Sequence, residues 1–186
     1  MGPNGVLVLN DLGFDFVRAG ACRLLSWASA DGHSLEKIGV QDCGDIGRIT
    51  GAYFWTVHRV DLHKELLRLA LDADTTTTPS SVRIQYGSSV CDVDAPTGRV
   101  YLANGTVHEA DLVIGADGVH STVRASVTPA DSHRQAVDSG LSAFRFLLPS
   151  EAIPARLWQS KFGDANVFAD MDPKKDQHVI WYGCRG

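Results

Sequence analysis

The chain has 186 residues, enough for one ordinary domain or one and a fraction. With 44% hydrophobic and 21% charged residues it has a globular composition, not a disordered one. A formal charge of −5 leaves no basic footprint and excludes nucleic acid as an expected partner.

The longest apolar runs, such as Val6–Leu9, are far too short to span a membrane, and no secretory signal follows Met1. The cysteines at 22, 43, 91 and 184 form no C-x-x-C pair, and no two histidines stand at i, i+4. That scatter excludes a zinc site or a dense disulfide framework from the expectations. It fits a reduced compartment, so a cytoplasmic location is expected.

In chain order, "PNGVLVLNDLG" (3–13) reads as a helix, with Pro3 in its first turn and Gly13 as its C-terminal cap. Val8, Leu9 and Leu12 form its expected apolar face. The stretch 23–40 divides at Asp31-Gly32 into two runs, the signal for a hairpin. "DCGDIGRITG" (42–51) has three glycines but follows no convincing strand and opens no expected helix. "HRVDLHKELLRLALDA" (58–73) is the strongest helical pattern, with Leu62, Leu66, Leu69 and Ala70 recurring at helical spacing. A polar, proline-broken loop follows at 74–81.

Short strands are expected at 82–86, 89–94 and 99–103, with Asn104-Gly105 making a type I′ hairpin turn. "ADLVIGADGVHSTVR" (110–124) then runs a short β-branched segment, Leu112–Ile114, into two glycines flanking Asp117. That order reads as a buried strand whose end carries a carboxylate, followed by a short helix near 121–128. In an open α/β sheet, ligands bind at that end of the strands. Beyond 138 the character changes to long strands, "GLSAFRFLLP" and "HVIWYGC", joined by irregular acidic segments. A domain boundary is placed near residue 138, and no internal repeat is visible.

Three stretches in fixed order carry a resemblance: "PNGVLVLNDLG", "VHRVDLHKELLRLA" and "DLVIGADGVHSTVR". Together they resemble the FAD-dependent aromatic hydroxylases, the salicylate-hydroxylase-like flavoprotein monooxygenases. The resemblance implies an α/β fold: a partial FAD-binding Rossmann-like domain at 1–138, then the start of a substrate-binding β-sheet domain at 139–186. It implies FAD as cofactor, NAD(P)H as electron donor and a small aromatic or phenolic substrate. By the same resemblance Arg59 reaches the FAD phosphate and ribityl region, where a guanidinium suits a bidentate contact. Asp117 accepts a ribose hydroxyl and Gly118 lets the backbone approach closely. Val90 matches a position whose backbone meets adenine, while Ser121 and Arg124 hold the loop.

On the substrate side the resemblance points to Arg145 and Tyr182 as the catalytic pair, the arginine stabilising a phenolate and the tyrosine positioning it. Hydroxyl transfer to an aromatic ring needs an electron-rich ring, which a stabilised phenolate supplies. The chain departs from the family in two motifs. No G-x-G-x-x-G strand-turn-helix unit is found, and "FGDANV" (162–167) reads as a loop rather than the late Gly-Asp motif. The expectation is therefore a truncated form. The alternatives are a catalytically inactive nucleotide-binding remnant, or another flavin-fold enzyme such as an epoxidase or reductase on isoprenoid lipids.

Overall fold

The structure is a computed structural model that describes residues 1–71, 82–128, 137–159, 162–169 and 177–185. The chain divides into two compact units: Met1–Val82 with Leu147–Gly186, and Arg83–Phe146. The polar loop expected at 74–81 lies outside the described residues.

The first unit opens with helix α1 (Pro3–Asp11), with Pro at its N-terminus and Gly13 in the left-handed conformation just past its end. Its buried face differs from the expected one. Val6 is buried and Leu9 packs beside it, whereas Val8 and Leu12 are exposed. Val6 and Leu9 are three apart and face the aromatic pair Phe14 and Phe16, whose rings meet edge to face at 4.9 Å.

Strand β1 (Cys22–Leu24) pairs antiparallel with β4 (Phe54–Thr56). Strands β2 (Ser26–Asp31) and β3 (Lys37–Asp42) form the expected hairpin. Its turn is wider than a two-residue loop: Asp31 accepts the His33 and Ser34 amides, and Leu35 takes a positive φ of 61°.

The glycine-bearing stretch after β3 corrects the sequence reading, because it follows a strand and folds as helix α2 (Gly44–Thr50). Its glycines serve packing and capping. A Cβ at Gly47 would sit 2.1 Å from the Tyr53 ring, and Gly51 ends the helix with a φ of 80°. Gly47→Ala is therefore expected to destabilise by about 1–3 kcal/mol despite alanine's better helix propensity. Urea denaturation checks this, and a neutral or stabilising change would contradict the packing.

Helix α3 (Arg59–Leu71) forms as expected and turns Leu62, Leu66 and Leu69 to the core cluster of Val6, Phe14, Phe16, Ala19 and Ala52. Phe16 also stacks on Trp55 of β4 at 4.8 Å. After a 3₁₀ turn at Ser150–Ala152 and helix α5 (Ala155–Gln159), β8 (Ala165–Ala169) and β9 (His178–Tyr182) complete a sheet of order β3-β2-β8-β9. β8 runs parallel to β2 and antiparallel to β9. Residues 165–167, read from sequence as loop, belong to this strand. Asp164 just before it accepts from the Leu25 and Ser26 amides, which fixes the start of β2.

In the second unit β5 (Val90–Asp94), β6 (Arg99–Leu102) and β7 (Val107–Glu109) form an antiparallel meander. The Asn104-Gly105 hairpin is present, but only Gly105 has a positive φ, 84°. A type I′ turn needs positive φ at both central residues, so this turn is of another class. Helix α4 (Val123–Val127) matches the short helix expected there.

Three expected strands do not form ladders. Residues 82–85, 112–118 and 141–149 are irregular, with Leu112 75%, Ile114 79% and Phe144 92% exposed. Their β-branched and aromatic residues suit an extended chain. A strand also needs neighbours to take its N–H and C=O groups, and no described strand pairs with these.

Candidate functional site

The Asp-Gly stretch builds a cleft in the second unit. Past the extended run, Gly118 adopts a φ of 78°, which turns the chain back toward α4. Asp117 Oδ2 accepts the backbone amides of Thr122 at 2.7 Å and Val123 at 3.1 Å. Its Oδ1 accepts the Ser121 hydroxyl at 2.5 Å. Ser121 Oγ in turn accepts the Arg124 amide, while the Arg124 guanidinium donates to the carbonyls of Gly118 and Val119, each at 3.1 Å.

Gly115 lies where a Cβ would stand 2.8 Å from Val123, so the extended run passes directly against α4. The result is an open cleft of about 340 Å³ lined by Val113, Gly115, Asp117, Gly118, Ser121 and Arg124 among others.

The Ser121 hydroxyl, followed by the Val123 and Thr122 amides, holds the Asp117 carboxyl down at about 2. A depressed carboxyl stabilises the fold above its unfolded value, and that contribution is lost as pH falls toward the folded value. Asp117 is therefore expected to stay ionised to about pH 2. A carbon-13 titration of its carboxyl with a midpoint near 4 would contradict the network.

The other sequence-predicted residues lie elsewhere. Val90, half-buried, starts β5 opposite Leu102 in the second unit. Arg145 lies in the same unit on the exposed extended stretch. Arg59 and Tyr182 belong to the first unit: Arg59 is exposed at the first position of α3, and Tyr182 is 53% exposed at the end of β9. Asp117 and Gly118 thus share one cleft, and Arg59 and Tyr182 share one unit.

One arrangement carried no local sequence signal. Asp61 Oδ2 accepts both Nε and a terminal nitrogen of Arg185, at 2.7 and 2.6 Å. The partners are 124 residues apart, so no spacing rule joins them.

No family model matches the chain. It is 36% identical to the 3-amino-4-hydroxybenzoate 2-monooxygenase of Streptomyces cremeus over 195 aligned residues, covering 100% of this chain and 43% of that protein. It is 36% identical to an FAD-dependent monooxygenase of Diaporthe leptostromiformis, covering 98% of this chain and 46% of the relative. Among solved structures, the tetrameric form of 2-methyl-3-hydroxypyridine-5-carboxylic acid oxygenase superposes with a TM-score of 0.62 at 24% identity. That match covers 98% of this chain and 43% of the other, and shows the shared α/β fold. The chain spans less than half the length of these relatives. Over the residues it contains, the chain belongs to the FAD-dependent monooxygenases of the aromatic-hydroxylase type.

Proposed function

We propose that this chain supplies part of the cofactor and substrate sites of an FAD- and NAD(P)H-dependent hydroxylase acting on a small phenolic compound. The observation that carries the reading is the built Asp117-Gly118 turn, within a chain similar along its whole length to aromatic monooxygenases.

The cleft suits one part of a dinucleotide. A carboxylate has about four acceptor positions, and three on Asp117 are taken, which leaves room for one ribose hydroxyl. The left-handed Gly118 presents no Cβ to a ligand. Arg59, exposed at the start of α3, supplies a planar cation for a phosphate, and Val90 offers backbone to adenine. Arg145 balances the negative charge of a phenolate, and Tyr182 orients it.

Bound and reduced FAD would supply the activated oxygen; the residues of this chain would bind, orient and neutralise charge. In this reading residues 1–138 serve the cofactor and 139–186 the substrate. The four free thiols suit a reducing compartment such as the cytoplasm.

A cleft of about 340 Å³ is at the small end of ligand sites and holds only a fraction of FAD. The 186-residue chain alone is therefore expected to bind FAD more weakly than micromolar; sub-micromolar affinity by calorimetry would contradict this. The reading itself is tested by comparing Asp117→Ala with Asp111→Ala. Asp111 is exposed at the start of the extended run and outside the cleft. Cofactor affinity should fall on the order of tenfold for Asp117→Ala, the cost of one charge-assisted hydrogen bond, and stay unchanged for Asp111→Ala. Equal effects would sink the assignment.

A further inference from the structure

The first turn of α3 is held from outside the helix. A helix begins with backbone N–H groups that have no partner within it, and its first turn frays unless something fixes it. Here a stretch distant in sequence, Gly183–Arg185 just past β9, holds the turn at two points, the His58 amide just before the helix and the Asp61 side chain within it. The Thr56 hydroxyl, at the end of β4, donates to the Gly183 carbonyl and also to the Cys22 carbonyl. The His58 amide donates to the Cys184 carbonyl at 2.8 Å. The His58 carbonyl then accepts the amides of Asp61 and Leu62, both at 3.0 Å, which starts the helix. Finally the Arg185 guanidinium closes on Asp61 with two contacts to one oxygen.

These contacts fix direction as well as position. Successive helical residues are rotated by about 100°, so residues two apart point about 200° apart around the axis. Asp61 is mostly buried, with 17% of its side chain exposed, and faces the Gly183–Arg185 segment. Arg59 therefore projects to the opposite side of the same turn. It is exposed there, with no hydrogen bond or ion pair among the described residues. The Arg185 stem passes over Gly20, whose missing Cβ would lie 3.6 Å from Cγ, so the guanidinium reaches Asp61 along a defined track. The Asp61 carboxyl is held below its usual range chiefly by the Arg185 hydrogen bonds, with smaller help from charge, His58 and Lys64.

We propose that Asp61 and Arg185 are a positioning pair that sets the rotation of the first turn of α3, aims the Arg59 guanidinium at a nucleotide phosphate, and ties that turn to the strand ending in Tyr182. The proposal rests on the reading of Arg59 as a phosphate-binding residue. It adds that the segment leaving the substrate-side strand governs how well the cofactor-side arginine binds. Neither Asp61 nor Arg185 touches the ligand.

ADP carries a pyrophosphate and an adenosine, so ADP titrated into the nitrogen-15-labelled 186-residue chain is the probe. Arg59→Ala should weaken ADP on the order of tenfold, the loss of a charge-assisted phosphate contact. Asp61→Asn and Arg185→Gln should each weaken it several-fold, and the double variant no more than either single one. Arg185→Lys should recover part of the affinity, and the exchanged pair Asp61→Arg with Arg185→Asp most of it.

Hydrogen exchange of the α3 amides supplies a second readout. It should quicken up to Asp61 in both single variants and stay unchanged from Glu65 onward. Should Asp61→Asn fail to fold, Arg185→Gln decides, because that side chain is 60% exposed. An effect of Arg59→Ala with none from Asp61→Asn or Arg185→Gln overturns the positioning pair alone. No effect of Arg59→Ala, or no ADP binding to the unaltered chain, overturns the phosphate reading of Arg59 and the pair with it. Quickened exchange along the whole helix would make the pair a general support of the fold and also overturn the proposal.

Discussion

Asn166→Ala is expected to destabilise the first unit by about 3 kcal/mol, among the largest effects of any single change away from the proposed site. Asn166 is 1% exposed, in the second position of β8. Its Oδ1 accepts the Phe162 amide at 2.8 Å and the Gly163 amide at 3.2 Å, while Nδ2 donates to the Gly163 carbonyl at 2.8 Å. One side chain therefore folds the turn that delivers Asp164 to the start of β2 and lets β8 enter beside it in parallel.

Alanine leaves two amides and a carbonyl without these partners, each costing about 1–3 kcal/mol if it stays dry. Phe162 and Gly163 are only half-buried, so water recovers part of the loss, which sets the figure near the low end of the sum. Urea unfolding should show a lower midpoint with an unchanged slope. A loss below about 1 kcal/mol would mean that the turn is held by something other than this amide.

Arg145→Lys, in a flavin-loaded enzyme that contains this chain, is expected to cost about 2–4 kcal/mol of transition-state stabilisation at unchanged flavin content. Arg145 stands on an extended segment in which Ala143 and Leu147 are its alternate neighbours, so it is a cation in an apolar register. It is exposed, and no described carboxylate pairs with it. A phenolate oxygen would complete that charge, and only the planar guanidinium fork can grip it with two donors. Lysine keeps the charge and loses the fork. Single-turnover hydroxylation should slow by a factor of 30 or more, roughly, while flavin absorbance stays level. Loss of flavin together with activity would make Arg145 a structural residue of its segment.

What the sequence made legible was what short-range rules encode. The heptad-like leucines of α3, the Asp31 and Asn104-Gly105 turns and the Asp117-Gly118 punctuation all act within a few residues, and the structure has each of them. What it concealed depends on distant partners. Residues 112–114 and 141–148 have strand composition, yet a strand exists only where another backbone meets it, and none of the described ones does. The reverse holds at 165–167, which read as loop from the Gly-Asp turn before them but belong to a strand fixed by a parallel partner more than 130 residues away. α2 carries no helical signal in the sequence because glycines disfavour a helix, whereas in the structure Tyr53 packs on one of them. In the candidate site the turn chemistry of Asp117 was visible, but the Arg185 grip on Asp61 was not, since it crosses 124 positions.

Nitrogen-15 spectra recorded during titration with FAD show, residue by residue, whether this chain carries nucleotide-binding residues of a flavin-dependent hydroxylase. Saturable shifts are expected, in the weak-binding range, at the amides of Gly118 to Val123 and at Arg59, with Asp117→Ala moving their midpoint to FAD concentrations on the order of tenfold higher. Shifts scattered over the surface without saturation, or a saturating set that leaves both the Asp117 turn and the start of α3 unmoved, would contradict the nucleotide-binding reading.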